Sequence, residues 1–263
     1  MGERQERVFT SINKRMAQGS GLKAQGQPAV AKAMAGREEE SDMDNSELIA
    51  RLAAKVEELE KKVQTLEDIE AIKKLQRAYG YYLDKMMWDE LVDCFAEDGS
   101  LELAQRGVYI GKKNIRKLMD LMPDSQNGIQ YGLLMNHMNL QGIVTIDPGG
   151  KTAKGRWRMF AQVAKWKEKA FWAEGTYENT YVKEDGIWKA KSMHVYTTFM
   201  TPYDKGWGKE YENFIPKPDP NCPPDQPPTE VYGDFPDVYI PPFHYVHPVT
   251  GKKVDTRIKE KTK

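Results

Sequence analysis

The sequence predicts an α+β domain, with helices first and an antiparallel sheet after them. Three observations carry this. Helical periodicity is confined to residues 46–122, alternating strand-like runs fill residues 131–200, and most of the prolines gather after Thr201, where periodicity fades. The connections between the later runs are short, which makes those strands antiparallel neighbours.

Composition bounds the partners. The chain has 263 residues, with Lys+Arg and Asp+Glu equal at 39 each. A neutral balance argues against nucleic acid or an anionic membrane, both of which need a basic face. No apolar run reaches the length of a membrane span, and the start lacks the apolar segment of a secretory signal. Two cysteines, Cys94 and Cys222, make neither a disulfide framework nor a metal motif. A cytoplasmic protein is the expectation.

Residues 1–45, rich in Gly, Ala, Gln and charge, read as a flexible segment. Residues 46–67 form a heptad-like helix: Ile49, Leu52, Val56, Leu59, Val63 and Leu66 are spaced 3, 4, 3, 4, 3. β-Branched residues at a and Leu at d suit two parallel strands. The same stripe also suits a helix lying across its own domain or a neighbouring subunit.

The main domain is read as residues 68–207. Its first helix carries a stripe of Ile69, Ile72, Leu75, Tyr79, Tyr82 and Met86. A short helix follows from Trp88 to Phe95, ended by the turn Glu97–Ser100. SLELAQRGVYIG then alternates as a strand or hairpin, and Gly111–Met122 is a helix followed by the loop PDSQNG. Strands follow in YGLLMNHMNLQGIVTID, GRWRMFAQVAKW and the two halves of residues 171–199, the last pair joined at Glu184–Asp185–Gly186. Residues 208–263 are rich in proline and aromatics and read as a tail wrapping a domain or a subunit.

The first helix ends in a cluster of Tyr79, Tyr81, Tyr82 and Asp84, read as the wall of a small-molecule pocket. Buried among aromatics, the Asp84 carboxyl suits proton transfer; the plainer reading is a solvated carboxylate at a helix end. On an ideal helix Asp84 lies about 200° from Tyr82 but about 40° from Gly80. Tyr82 and Asp84 therefore share a cavity only where the helix ends or bends. His137 shares a strand face with Met135 and Asn139, and His194 with Trp188, Ser192 and Tyr196. Either imidazole suits acid–base work, or is a bonded core residue. Trp157 and Met159 should face the interior, opposite Arg156 and Arg158, with Tyr177 and Asn179 beside them. Tyr82, Trp157 and Tyr177 could then sandwich aromatic rings, or simply fill the core. His244 and His247 make a poor metal signature. No phosphate loop or nucleophile elbow is present, so no cofactor and no metal is implied.

YGYYLDKMMWDELVDCFAEDGSLEL, GVYIGKKNIRKL, NHMNLQGIVTID, EDGIWKAKSMHVY and TPYDKGW together resemble a SnoaL-like domain of the nuclear transport factor 2-like superfamily, the group that includes scytalone dehydratase. The resemblance implies a cone of curved sheet with helices closing a deep apolar pocket, and a convex face used for oligomers. Scytalone dehydratase carries a Tyr-Asp pair at the end of the first helix, matched here by Leu83-Asp84. Its first-strand tyrosine falls near Leu103, its first histidine on His137 and its second on Trp157. Its later Ser and Asn fall near Gly175 and Tyr177. One Asp and one His are kept, and aromatics replace much of the rest. The long N-terminal helix and Pro-rich tail are also similar in layout to cofactor-free bacterial lyases that release formaldehyde from lignin-derived diarylpropanes.

The expected protein is thus a cofactor-independent lyase for an aromatic small molecule, working as a homo-oligomer, a dimer or trimer. Asp84, His137, Tyr82 and His194 are the candidate catalytic residues. Tyr81, Leu103, Trp157, Met159, Tyr177, Asn179 and Tyr196 are the candidates for substrate binding. A simple dehydratase or isomerase, and a non-catalytic ligand-binding or assembly module, are the competing readings.

Overall fold

Forty residues, Asn45–Asp84, form one helix, α1, in the computed structural model of the chain. The structure describes residues 44–122, 128–209, 218–233 and 235–256. The expected flexible segment lies almost wholly outside these residues, as does most of the PDSQNG loop. The chain divides into two compact units, residues 1–61 and 62–263. In the first, the described part is the start of α1, a solvated helix supported by pairs such as Glu57–Lys61 at 2.7 Å. No described helix is long and apolar enough to cross a membrane.

The second unit holds the rest of α1. Its buried face is Asp68, Ile72, Gln76, Tyr79, Gly80, Leu83 and Asp84. This corrects the stripe read from apolar residues alone. Leu75 and Tyr82 are only partly buried, because Gln76, Gly80 and Asp84 occupy the centre of the contact. The helix runs on through Asp84 and then closes: Met87 N–H bonds Tyr82 O at 2.9 Å, and Met86 N–H bonds Leu83 O at 3.2 Å. This 6→1, 5→2 pair is a Schellman cap, with Met86 in the left-handed region at φ 53°.

A second helix α2, Trp88–Asp93, leads into β1, Phe95–Leu103, which hairpins to β2, Val108–Ile110. The expected turn at Glu97–Ser100 is instead an irregularity inside β1, where pairing to β6 shifts between Phe95 and Ser100. Helix α3 spans Lys112–Asp120 and buries Ile115, Leu118 and Met119. Four long strands follow: β3, Leu133–Ile146; β4, Thr152–Lys165; β5, Lys169–Glu184; and β6, Ile187–Pro202. Asp185 and Gly186 both take positive φ, 50° and 80°, as the two-residue turn between β5 and β6 requires.

The six strands form one unclosed sheet in the order β2-β1-β6-β5-β4-β3, and all pairs are antiparallel except β1–β6. It is a curved sheet of the cone type. Period-2 alternation sorts its faces. The face toward α1 carries His137 and Asn139 of β3, Trp157, Met159 and Ala161 of β4, and Ala173, Tyr177, Asn179 and Tyr181 of β5. The opposite face carries Arg156, Glu178, His194 and Glu102, and the tail packs on it. Arg156 sits 4.0 Å over the Phe243 ring and pairs with Glu178 at 2.6 Å. His244 reaches Glu178 at 3.1 Å, and Thr229 donates its N–H and hydroxyl to Glu102, each at 2.8 Å. Tyr239 stacks with Tyr196, ring centroids 5.6 Å apart. In this chain the tail thus covers part of the face expected to carry an oligomer interface.

Candidate active site

The site is built by a close approach of α1 to β3. A Cβ placed on Gly80 would lie 2.4 Å from Asn139 Nδ2 and 3.4 Å from His137 O, so a larger residue here would have to displace the Asn139 amide. One turn later the same helix face presents Asp84. Its Oδ1 accepts the backbone N–H of His137 at 2.8 Å and lies 2.9 Å from the ring Nδ1. Both side chains are largely buried, Asp84 at 10% and His137 at 15% exposure. With Nδ1–H donated to the carboxylate, the neutral ring carries its lone pair on Nε2. The carboxylate fixes the tautomer, and Nε2 is left able to accept a proton.

A polar network holds the approach in place. Gln76 Nε2 donates to Asn139 Oδ1 at 2.9 Å. Gln76 Oε1 in turn accepts from Asn179 Nδ2 at 2.9 Å and from the Tyr181 hydroxyl at 2.8 Å. Trp157 Nε1 donates to that hydroxyl at 2.9 Å. One buried glutamine thereby ties α1 to β3 and β5 with its amide oxygen and nitrogen both satisfied.

The pair lines an open pocket of about 250 Å³, together with Arg77, Gly80, Tyr81, Asn136, Met138, Asn139 and Leu140. Across the sheet, the register row from His137 runs to Ala161, Ala173 and Met200. Only Ala161 is the direct neighbour of His137, and Ala161 and Ala173 are buried in the core rather than on the pocket wall.

Of the expected catalytic residues, the structure brings together Asp84 and His137, and Tyr81 stands beside them on the pocket wall. Tyr82 does not join them. It lines a separate groove of about 700 Å³ with Glu90, Cys94, Lys183, Ile187 and Trp188, as a helix continuous through Asp84 requires. His194 lies on the opposite face of the sheet. Its ring stacks on Tyr196 at 3.7 Å, and its Nδ1 is 3.5 Å from Glu102. Burial pushes its pKa down to about 4. Tyr196 shares that face, so neither residue borders the pair.

Trp157, Tyr177 and Asn179 are core residues rather than a ring clamp. Trp157 and Asn179 belong to the network, and the Tyr177 ring meets Tyr79 edge-on at 6.3 Å. Burial, and the nearby Asp84 charge, hold the Tyr177 phenol well above its ordinary pKa. Met159 is buried across from Asn139. Leu103, on β1, packs against the core. His244 and His247 do not converge: the first bonds Glu178, the second accepts the N–H groups of Val249 and Thr250.

Gln76 and Gly80 are the residues the sequence reading missed. Each left a signal, because a glycine inside a long helix and a glutamine inside an apolar stripe both need a local reason.

A model of the SnoaL-like domain family matches residues 64–194, the stretch that holds α1's buried face, the sheet as far as the middle of β6, and the Asp84–His137 pair. The chain carries a SnoaL-like domain. Solved structures are similar to it in fold. A scytalone dehydratase-like protein of Novosphingobium aromaticivorans is 24% identical, with a TM-score of 0.49, over 60% of this chain and 97% of that one. A hexachlorocyclohexane dehydrochlorinase of Novosphingobium barchaimii is 15% identical, with a TM-score of 0.47, over 54% and 93%. A nuclear transport factor 2-like protein with a cystatin-like fold, also from Novosphingobium aromaticivorans, is 21% identical, with a TM-score of 0.42, over 59% and 91%.

Proposed function

We propose that the SnoaL-like domain is a cofactor-independent lyase acting on a hydroxylated phenolic molecule. The substrate class we assign is a lignin-derived diarylpropane diol, converted to a stilbene with loss of water and formaldehyde. The observation that carries the reading is the Asp84–His137 pair, an imidazole oriented by a carboxylate at the edge of a pocket.

One imidazole suffices for both steps. His137, entering as imidazolium, gives its proton to the benzylic hydroxyl as the C–O bond breaks and water leaves. The para-phenol loses its proton to solvent, and the product is a quinone methide. The neutral imidazole then takes the proton of the terminal hydroxyl. That O–H pair forms the carbonyl of formaldehyde, the C–C bond breaks, and its electrons form the alkene while the ring returns to a phenolate. The phenolate regains a proton from solvent, and His137 ends as imidazolium, ready for the next turnover. Asp84 stabilises the cation at each end of the cycle. Arg77 and Tyr81, at the rim of the pocket, are placed to meet a phenol oxygen.

The test is incubation of the purified chain with phenolic diarylpropane diols and no added cofactor, following formaldehyde and stilbene absorbance together. Equimolar formation of the two is expected. Loss of water with the hydroxymethyl group retained would make the domain a dehydratase instead, and no turnover on any such diol would sink the lyase reading.

A further inference from the structure

The first part of α1 carries an apolar stripe that stands exposed among the described residues. Ile49, Leu52, Val56, Leu59, Val63 and Leu66 are each between 50% and 67% exposed. Six large aliphatic residues in one line over two and a half heptads form an apolar surface that a soluble helix rarely leaves bare. The structure therefore poses the question of what covers it.

The flanking charges answer it. With Ile49, Val56 and Val63 at a and Leu52, Leu59 and Leu66 at d, the g positions are Lys55 and Lys62 and the e positions are Glu60 and Glu67. In a parallel pair with the two helices in register, each g residue meets the e residue five places on in the other helix. Lys55 then faces Glu60 of the other copy, and Lys62 faces Glu67, in both directions. An antiparallel pair would set g against g and e against e, lysine on lysine and glutamate on glutamate. The code is self-complementary in one polarity only. The positions that would follow the seam, Glu70 and Lys73, are polar and bonded to each other at 2.6 Å, so the seam ends at Leu66. Beyond that point α1 buries its other face, Ile72, Gln76 and Tyr79, in the domain.

We infer that residues 49–66 pair with the same segment of a second copy of this chain as a parallel, in-register, two-stranded coiled coil. The pairing needs nothing from the Asp84–His137 site and stands apart from the proposed reaction. A seam this short is marginal by itself, so association is expected to be reversible, with a dissociation constant on the order of micromolar to tens of micromolar.

The experiment is sedimentation velocity on the full chain up to about 200 µM, with two charge variants. The basic variant is Glu60→Lys with Glu67→Lys, and the acidic variant is Lys55→Glu with Lys62→Glu. Each should lose self-affinity by about tenfold or more, since four attractive contacts become repulsive. An equimolar mixture of the two should recover a dimer. All four positions are on the exposed helix surface, and unchanged thermal unfolding would show that the domain is intact. Polarity is read from Leu52→Cys, which meets its own copy only in the parallel arrangement and should form a disulfide-linked dimer under mild oxidation. The native Cys94 and Cys222 are buried and do not compete. A chain that stays monomeric, a trimer mass, charge variants that associate like the parent, or a dimer that Leu52→Cys fails to link would each overturn the inference.

Discussion

Oδ1 of Asp84 holds His137 at two points, its backbone N–H at 2.8 Å and its ring Nδ1 at 2.9 Å. One oxygen thereby sets both where β3 lies against α1 and which ring nitrogen is left to react. His137→Ala removes the proton carrier and should lower kcat by about 10²–10⁴-fold on a turned-over diol. Asp84→Asn keeps the volume but replaces the carboxylate that accepts from the His137 backbone and Nδ1. It should lower kcat with little change in KM. Steady-state kinetics decides this, and an Asp84→Asn enzyme with the parent's kcat would remove the carboxylate from the mechanism.

Gly80 gives a prediction whose sign opposes the usual rule. In an exposed helix interior, Gly→Ala stabilises by roughly 1 kcal/mol. Here the new methyl would meet Asn139 Nδ2 at a distance far inside van der Waals contact. The Asn139 amide must swing aside, breaking its bonds to Gln76 and to His137 O. Gly80→Ala should therefore destabilise by about 1–3 kcal/mol and cost activity without touching a reacting group. Urea unfolding and turnover on the same preparation test it, and a stabilised, fully active variant would contradict the close approach.

Gln76 tests whether the buried network is structural. Gln76→Leu leaves Asn139 Oδ1, Asn179 Nδ2 and the Tyr181 hydroxyl each short of a partner. Each buried group so stranded costs about 1–3 kcal/mol, although some recover bonds to one another: Asn179 already reaches the Tyr181 hydroxyl at 3.2 Å. A total loss of about 2–4 kcal/mol is expected. A chemical denaturation midpoint unchanged from the parent would show that the network contributes nothing net.

These two residues also show what was legible. The class of fold, the long strands, the β5–β6 turn and the identity of Asp84 and His137 as candidates all follow from period, turn chemistry and resemblance. The orientation of α1 did not follow, because the helix buries Gln76, Gly80 and Asp84 at the centre of its contact, and a stripe drawn through aliphatic and aromatic residues is turned toward Leu75 and Tyr82. That rotation moved Tyr82 out of the site. Trp157, Tyr177 and Asn179 were placed on the correct face, but periodicity reports facing and not depth, so it could not separate a ring clamp from a bonded core. The parallel pairing of β1 with β6 depends on contacts far apart in the chain, and no local pattern encodes it. The tail's route over Arg156, Glu102 and Tyr196 is likewise a tertiary choice.

His194 predicts how stability responds to acid. Burial lowers its pKa in the fold from 6.5 to about 4. Above pH 6.5 the ring is neutral in both states and contributes no pH dependence. Between pH 6.5 and about 4 the unfolded chain binds the proton and the fold does not, so stability falls as pH falls, by up to about 3 kcal/mol in all. Below about 4 both states are protonated and this loss levels off. Glu102, 3.5 Å away, acts in the opposite sense: burial raises its pKa, so the fold holds its proton more tightly than the unfolded chain as acid is added. Glu178 and His244 border the same face, bonded to each other. The separable readout is the difference between parent and His194→Gln. Thermal unfolding midpoints of the parent should drop more steeply from pH 6.5 to 4 than those of the variant, and parallel curves would mean that His194 charges freely within the fold.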